Sequence, residues 1–371
     1  MSPIADTLPT GIQACGCLTP FGETEATVAA LLDGRRALQL RPVLGQDGGD
    51  RVPLALMGSN DMAEALPPRW LPALRILAAS IPRDAWGSPR SPVVVTSSNF
   101  GVGSLYAYLR SHDAGHLRHG APFACVEMLQ DEFGWGGQVH VFSHACVSAH
   151  VGLMHATRLL QAGLADRVLV FTFDFVSPFV AGGFHSLKIL NSGLPAPYSA
   201  RETGSIGLGD GAAFAVLACE AAPFRIEAQA LHNEMHHFTG NRADGSGFAA
   251  CAEAIAAVAG GRRVWVKGHG TGTLEAGRLE AETYAKLLPG APLVSWKGSL
   301  GHTLGSCGLV ELALTVEAMR LGRAPGTIGS ASPCFTETVA LSPFATAGYD
   351  GAVVASNAFG GAHASLLLSH A

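Results

Sequence analysis

Short apolar, β-branched runs alternate along the chain with segments whose apolar residues recur at helical spacing. The run "SPVVVTSS" at 91–98 reads as a strand, Ser148 to Gln161 as an amphipathic helix, and "RVLVFTFD" at 167–174 as a strand again. That alternation predicts parallel strands crossed by helices, an α/β fold. After "AAFAVLACE" at 212–220 a second series begins, with a strand near 225–231, a helix at 248–259, "RRVWVKG" at 262–268, a helix from Arg278, "PLVSWKG" at 292–298 and a helix at 308–321. The series read as one architecture used twice, dividing the chain into halves 1–220 and 221–371. A hairpin with runs at 351–356 and 363–369 closes the chain around a glycine turn. Residues 33–90 show little periodicity and read as a cap or loop region.

Composition sharpens this picture. Over 371 residues, 48% are hydrophobic, 14% charged and 46 are glycine, a balance that predicts deep burial and subunit contacts. The net charge of −5 comes without any Lys/Arg block, which argues against nucleic acid and anionic membranes as partners. No leader pattern and no membrane-length apolar run is visible, so a cytoplasmic protein is expected. Eight irregularly spaced cysteines predict free thiols. Cys15 and Cys17 read as strand residues, and "HNEMHHF" lacks a completing carboxylate or cysteine spacing, so no metal site is expected.

The candidate chemistry begins at Cys146, between the strand-like "GQVHVF" at 137–142 and the Ser148 helix. Helix N-terminal N–H groups lower a thiol pKa and can hold an oxyanion, whereas a buried cysteine is commonly inert filler. Position alone leaves both readings open. His269 in "VKGHGTGT" and His302 in "WKGSLGHTLGSCG" each follow a strand, where open α/β sheets place ligand sites. A thiolate can accept an acyl group, and two imidazoles can hold the oxygen of a thioester enolate. "GSIGLGDGAA" precedes a strand rather than opening a helix, which argues against a dinucleotide phosphate loop.

Taken in order, "HACVSA", "GLGDGAA", "HGTGT", "KGSLGHTLGSCG" and "SNAFGGAHASLLL" resemble the β-ketoacyl-acyl-carrier-protein synthases of the thiolase superfamily, in their elongating two-histidine class. The resemblance spans nearly the whole chain. It implies a thiolase-like five-layered αβαβα fold with two similar halves, the first carrying the nucleophile and the second both histidines. It also implies Cys146 as acyl-accepting nucleophile, His269 and His302 for malonyl decarboxylation and enolate stabilisation, Lys297 as support for His302, and Glu311 in the network behind them. Thr271 and Thr273 would bind the phosphopantetheine arm, and the N–H groups of Cys146 and Phe359 would form the oxyanion hole. The reaction would be decarboxylative Claisen condensation in fatty-acid or type II polyketide or polyene biosynthesis. No cofactor is implied beyond the phosphopantetheine of the acyl carrier protein that brings the substrates. The implied partners are that carrier and a second subunit, identical or a related ketosynthase or chain-length factor, paired strand edge to strand edge.

Several positions depart from the pattern. His144 stands where a small hydroxyl residue is usual, Ala276-Gly277 replace Asn-Asp, and the terminal glycine loop is two residues short, which puts the register of Phe359 in question. An acyltransferase or thioester hydrolase without condensation, and a non-catalytic chain-length-factor-like subunit, are the alternatives. A thiolase is disfavoured by the context of Cys307 and Cys334, and an initiating synthase would carry asparagine where His302 stands.

Overall fold

The structure is a computed structural model and describes residues 4–6, 9–45, 49–58, 62, 69–200 and 204–371. Ten principal strands form its sheet: β1 (Thr10–Thr19), β2 (Val93–Thr96), β3 (Val139–Phe142), β4 (Arg167–Asp174) and β5 (Gly211–Ala218), then β6 (Phe224–Asn233), β7 (Val264–Lys267), β8 (Leu293–Val294), β9 (Gly351–Ala358) and β10 (Ala362–His370). In space they run β3-β2-β4-β5-β1 and then β6-β10-β9-β7-β8. Each half therefore has the same order, third-second-fourth-fifth-first, and the same polarity. The third, second and fourth strands are parallel; the fifth is antiparallel to both of its neighbours. The halves join where β1 and β6 pair antiparallel.

The helices that build the layers are α1 (Thr24–Leu32), α2 (Leu71–Ala79), α3 (Pro122–Phe133), α4 (Ser148–Gln161), α5 (Ser246–Ala259), α6 (Leu274–Leu287) and α7 (Cys307–Arg320). Strand alternation sorts them into layers. On β4, Val168 and Val170 face a core shared with α1, α4 and α7, whereas Leu169, Phe171 and Phe173 face one shared with α2 and α3. On the second half, Val353 and Leu367 pack towards α5 and α6, while Val354, Leu366 and Leu368 pack inward. The result is a five-layered α/β/α/β/α stack whose middle helices are covered on both sides. That explains α7, which buries residues all round rather than along one stripe.

Two stretches differ from the reading of the sequence. Residues 33–90 are not merely a loop: Gln39–Pro42 pairs with Arg51–Ala55, which pairs with Leu208–Gly209, and α2 follows. Prolines at positions 42 and 53 mask the strands, and α2 buries only Leu74 and Leu77, too few to write a helical period. The segment expected as strand 292–298 is a two-residue strand followed by a single helical turn, Lys297–Leu300. Among the described residues no helix is long and apolar enough to cross a membrane.

Candidate active site

The repeated topology brings the chemistry together. In each half a connection leads from the third strand to a middle-layer helix, α4 or α7; Cys146 lies on the first connection and His302 on the second. Across the middle layer they meet, with His302 Nε2 3.0 Å from Cys146 Sγ. His269 follows β7, and its ring centroid lies 5.0 Å from that of His302, nearly perpendicular to it. Phe359 follows β9, and its main-chain N–H donates to the Cys146 thiol. A cavity of about 260 Å³ is lined by Cys146, His269, His302, Thr271, Thr273 and Phe359, with Phe184, Leu187, Ile189 and Ile206 on its apolar side.

Local backbone geometry presents each group. Ala145 has φ +45°, an unfavourable conformation for a residue with a Cβ, and turns the chain sharply between β3 and α4. Ser148 Oγ braces that turn, accepting from His144 N–H at 2.7 Å and donating to Ala145 O at 2.6 Å. His302 is pinned by the "GLGDGAA" segment: its N–H donates to Gly207 O at 2.7 Å, and its carbonyl accepts from Gly209 N–H at 3.0 Å. Gly301 beside it has φ +73°, and a Cβ there would lie 2.5 Å from Leu208 C, so the approach requires glycine. His269 is pinned by the Glu280 carboxylate on α6, which accepts from His269 N–H at 2.6 Å, Gly270 N–H at 2.9 Å and the Tyr198 hydroxyl at 2.8 Å.

Burial sets the electrostatics. It raises the Cys146 thiol well above the ordinary range; Cys307 and Asp174 add to this, while Lys297 and the Phe359 N–H oppose it. Burial also pushes both imidazoles well below their ordinary value, helped by the charges of Lys297 and Lys267, so His269 and His302 are neutral near pH 7. Neither histidine's Nδ1 has a protein partner. Lys297 Nζ bonds Glu311 Oε1 at 2.5 Å. Burial would lower Lys297, but Glu311 and Cys307 outweigh it and hold the ammonium above the usual lysine value.

Other expected positions fall in and around this cavity. Ala276 lines it, where the resembling proteins carry asparagine. His144 does not line it, and its main chain rather than its ring is what braces the nucleophile turn. Phe359 is 37% exposed and stacks on Phe184 with centroids 5.6 Å apart. Over the glycine turn lies the histidine-rich loop, where Glu234 N–H donates to Gly361 O at 2.9 Å and Gly360 N–H to Phe238 O at 2.8 Å. The "HNEMHHF" segment is thus a brace for that turn. Among the described residues no cluster of three His, Cys, Asp or Glu side chains is placed to hold a metal ion, and all eight cysteines are unpaired.

Residues 224–331 match the family described as "Beta-ketoacyl synthase, C-terminal domain". The chain is similar to the β-ketoacyl synthases. It is 30% identical over 227 residues to the ketoacyl synthase alpha subunit of the tetracenomycin polyketide synthase from Streptomyces glaucescens, covering 54% of this chain and 52% of that protein. It is 29% identical over 222 residues to 3-oxoacyl-[acyl-carrier-protein] synthase 2 of Vibrio cholerae, covering 54% of each. These alignments span about half the length of the curated relatives. Solved structures extend the likeness of fold over the whole chain: a β-ketoacyl synthase from Burkholderia phymatum superposes with TM-score 0.82 at 18% identity, covering 100% of both chains. A ketosynthase solved with its chain length factor from Xenorhabdus doucetiae gives 0.80 at 21% identity, covering 98% of both. The fold of this chain is thiolase-like.

Sequence reasoning missed Lys267. Its Nζ is 2.8 Å from the same Glu311 oxygen that Lys297 holds, and its side chain is wholly buried. The available signal was a lysine closing an otherwise apolar strand, "VWVK". Asn357 was missed as well; it links Glu280 at 3.3 Å to His363 at 2.9 Å.

Proposed function

We propose that this chain is a condensing 3-oxoacyl synthase that carries an acyl group on Cys146 and joins it to a malonyl unit with loss of CO2. The observation that carries this reading is the 3.0 Å contact between Cys146 Sγ and His302 Nε2, beside His269 in one cavity. The thiol is protonated at rest, so His302 Nε2 accepts its proton as the sulfur attacks an incoming thioester. The Phe359 N–H, with that of Cys146, would hold the oxyanion of the tetrahedral intermediate, and the carrier thiol leaves with the proton.

In the second half-reaction the malonyl thioester loses CO2 and the electron pair of the broken C–C bond becomes an enolate. The neutral imidazole N–H of His269 holds its oxygen, joined by His302 in the tautomer that carries its proton on Nε2. The enolate carbon attacks the acyl-cysteine carbonyl, the C–S bond breaks, and Cys146 is released under a 3-ketoacyl thioester two carbons longer. Thr271 and Thr273, with hydroxyl oxygens 3.3 Å apart in the cavity wall, suit the amide groups of a phosphopantetheine arm. Glu311 and Lys297 support the histidines from behind. The Streptomyces and Vibrio relatives, both named for ketoacyl synthesis, favour carrier-protein substrates, and the chain length factor in the Xenorhabdus complex favours a related subunit as partner. We also divide the chain at 220/221, where the two halves meet.

Incubation with acyl-loaded and malonyl-loaded carrier proteins, followed by intact mass spectrometry, tests the proposal. Acylation of Cys146 and a 3-ketoacyl product are expected. No acylation would indicate a chain-length-factor-like subunit, and acylation without a ketoacyl product would indicate simple acyl transfer or hydrolysis.

A further inference from the structure

Behind the cavity lie two lysines and two carboxylates, all buried: Lys267, Lys297, Glu280 and Glu311. Both lysines take the same oxygen of Glu311, at 2.8 and 2.5 Å, and its other oxygen has no protein partner. Lys267 also donates to Gly268 O at 2.6 Å and lies 5.5 Å from the centroid of the Trp296 ring. It sits two residues before His269 on the same strand end.

The sum of charges matters because the cavity must host anions. With both lysines protonated and both imidazoles neutral, the cluster sums to zero. Without Lys267 it would sum to −1 directly behind the histidines, and in a buried environment that charge opposes a thiolate, a malonyl carboxylate and an enolate alike. Lys297 already takes this Glu311 oxygen, and the second ammonium on it adds a positive charge.

We propose that Lys267 is a second cationic positioning residue of this site, cancelling the charge of the buried Glu280–Glu311 pair so that anionic states can form in the cavity. The part concerning the enolate rests on the condensing reading above; the part concerning the thiolate does not. Cys146 is faced by His302, Cys307, Asp174 and Lys297, and Lys267 by Glu311, Lys297 and Glu280.

The test compares the full chain with its Lys267→Met and Lys267→Met/Glu311→Gln variants. The double variant removes one charge of each sign, restoring the zero sum while leaving Lys297 a carbonyl acceptor. Peptide-level alkylation of Cys146 by iodoacetamide across pH 6–8, where Lys267 holds its proton, reads thiolate formation without requiring any activity. Decarboxylation of a malonyl-loaded carrier protein reads the enolate. In the single variant we expect both rates to fall about tenfold, with the Cys146 alkylation profile displaced to higher pH, and in the double variant the alkylation rate, which does not depend on the histidines' support, to recover most of its loss. Unchanged alkylation in the single variant, or alkylation losses that simply add in the double variant, would overturn the proposal. Normal charge dependence of alkylation with no decarboxylation in any form would leave Lys267 its electrostatic role and refute the condensing reading instead.

Discussion

Lys267 offers a prediction about stability as well as reactivity. Burial outweighs the attraction of Glu311 and lowers its ammonium from the ordinary 10.5 to about 8. At about 1.4 kcal/mol per tenfold, that difference means the charged lysine opposes folding by about 3 kcal/mol. Below pH 8 the side chain is protonated in both folded and unfolded chains, and the full cost is present. Between pH 8 and 10.5 the unfolded chain still holds the proton that the folded chain has released, so stability rises with pH by about 3 kcal/mol across that window. Substituting methionine removes this cost but leaves the Gly268 carbonyl without its donor, a loss of about 1–3 kcal/mol. Lys267→Met is therefore expected to lie between neutral and about 2 kcal/mol more stable at pH 7. If the lysine served the fold as an ion pair, its loss would instead cost about 3–5 kcal/mol. Urea unfolding followed by tryptophan fluorescence at pH 7, 8, 9 and 10 measures both quantities. The reasoning is refuted if the variant is destabilised by more than about 3 kcal/mol, or if variant and parent gain stability equally between pH 8 and 10.

Three further outcomes are expected. His302→Ala removes the acceptor of the Cys146 proton and should slow acylation by about 10²–10⁴-fold, whereas His269→Ala should keep acylation and lose decarboxylation, as single-turnover mass spectrometry can separate. Asp210→Ala should destabilise the chain by about 3–5 kcal/mol in urea, because Asp210 is the buried partner of Arg69 at 2.8 Å and also accepts from Met57 and Val176 N–H groups. Phe184→Ala removes the ring stacked on Phe359; about 0.5–1.5 kcal/mol of gate ordering is lost, and acyl transfer should change in KM more than in kcat.

Much of this protein is written locally. Strand runs and helix periods located Ser148–Gln161 and Arg167–Asp174 to the residue, because apolar period and end signals depend only on neighbours along the chain. The glycine-flanked histidines were legible for the same reason, since a close backbone approach needs glycine wherever it occurs. The strands at 39–42 and 51–55 were not legible, because they are short, carry proline and gain their pairing from Leu208–Gly209, far away in sequence.

The site itself was decided by tertiary structure. Cys146 and His302 are 156 residues apart and meet because two copies of one strand order face each other across the middle layer. The Gly207–Gly209 segment acts through backbone groups, which leave no mark in side-chain chemistry. A lysine at the end of an apolar strand has no meaning until its neighbours are known. Its worth depends on the charges buried beside it, and only the packed fold sets those distances.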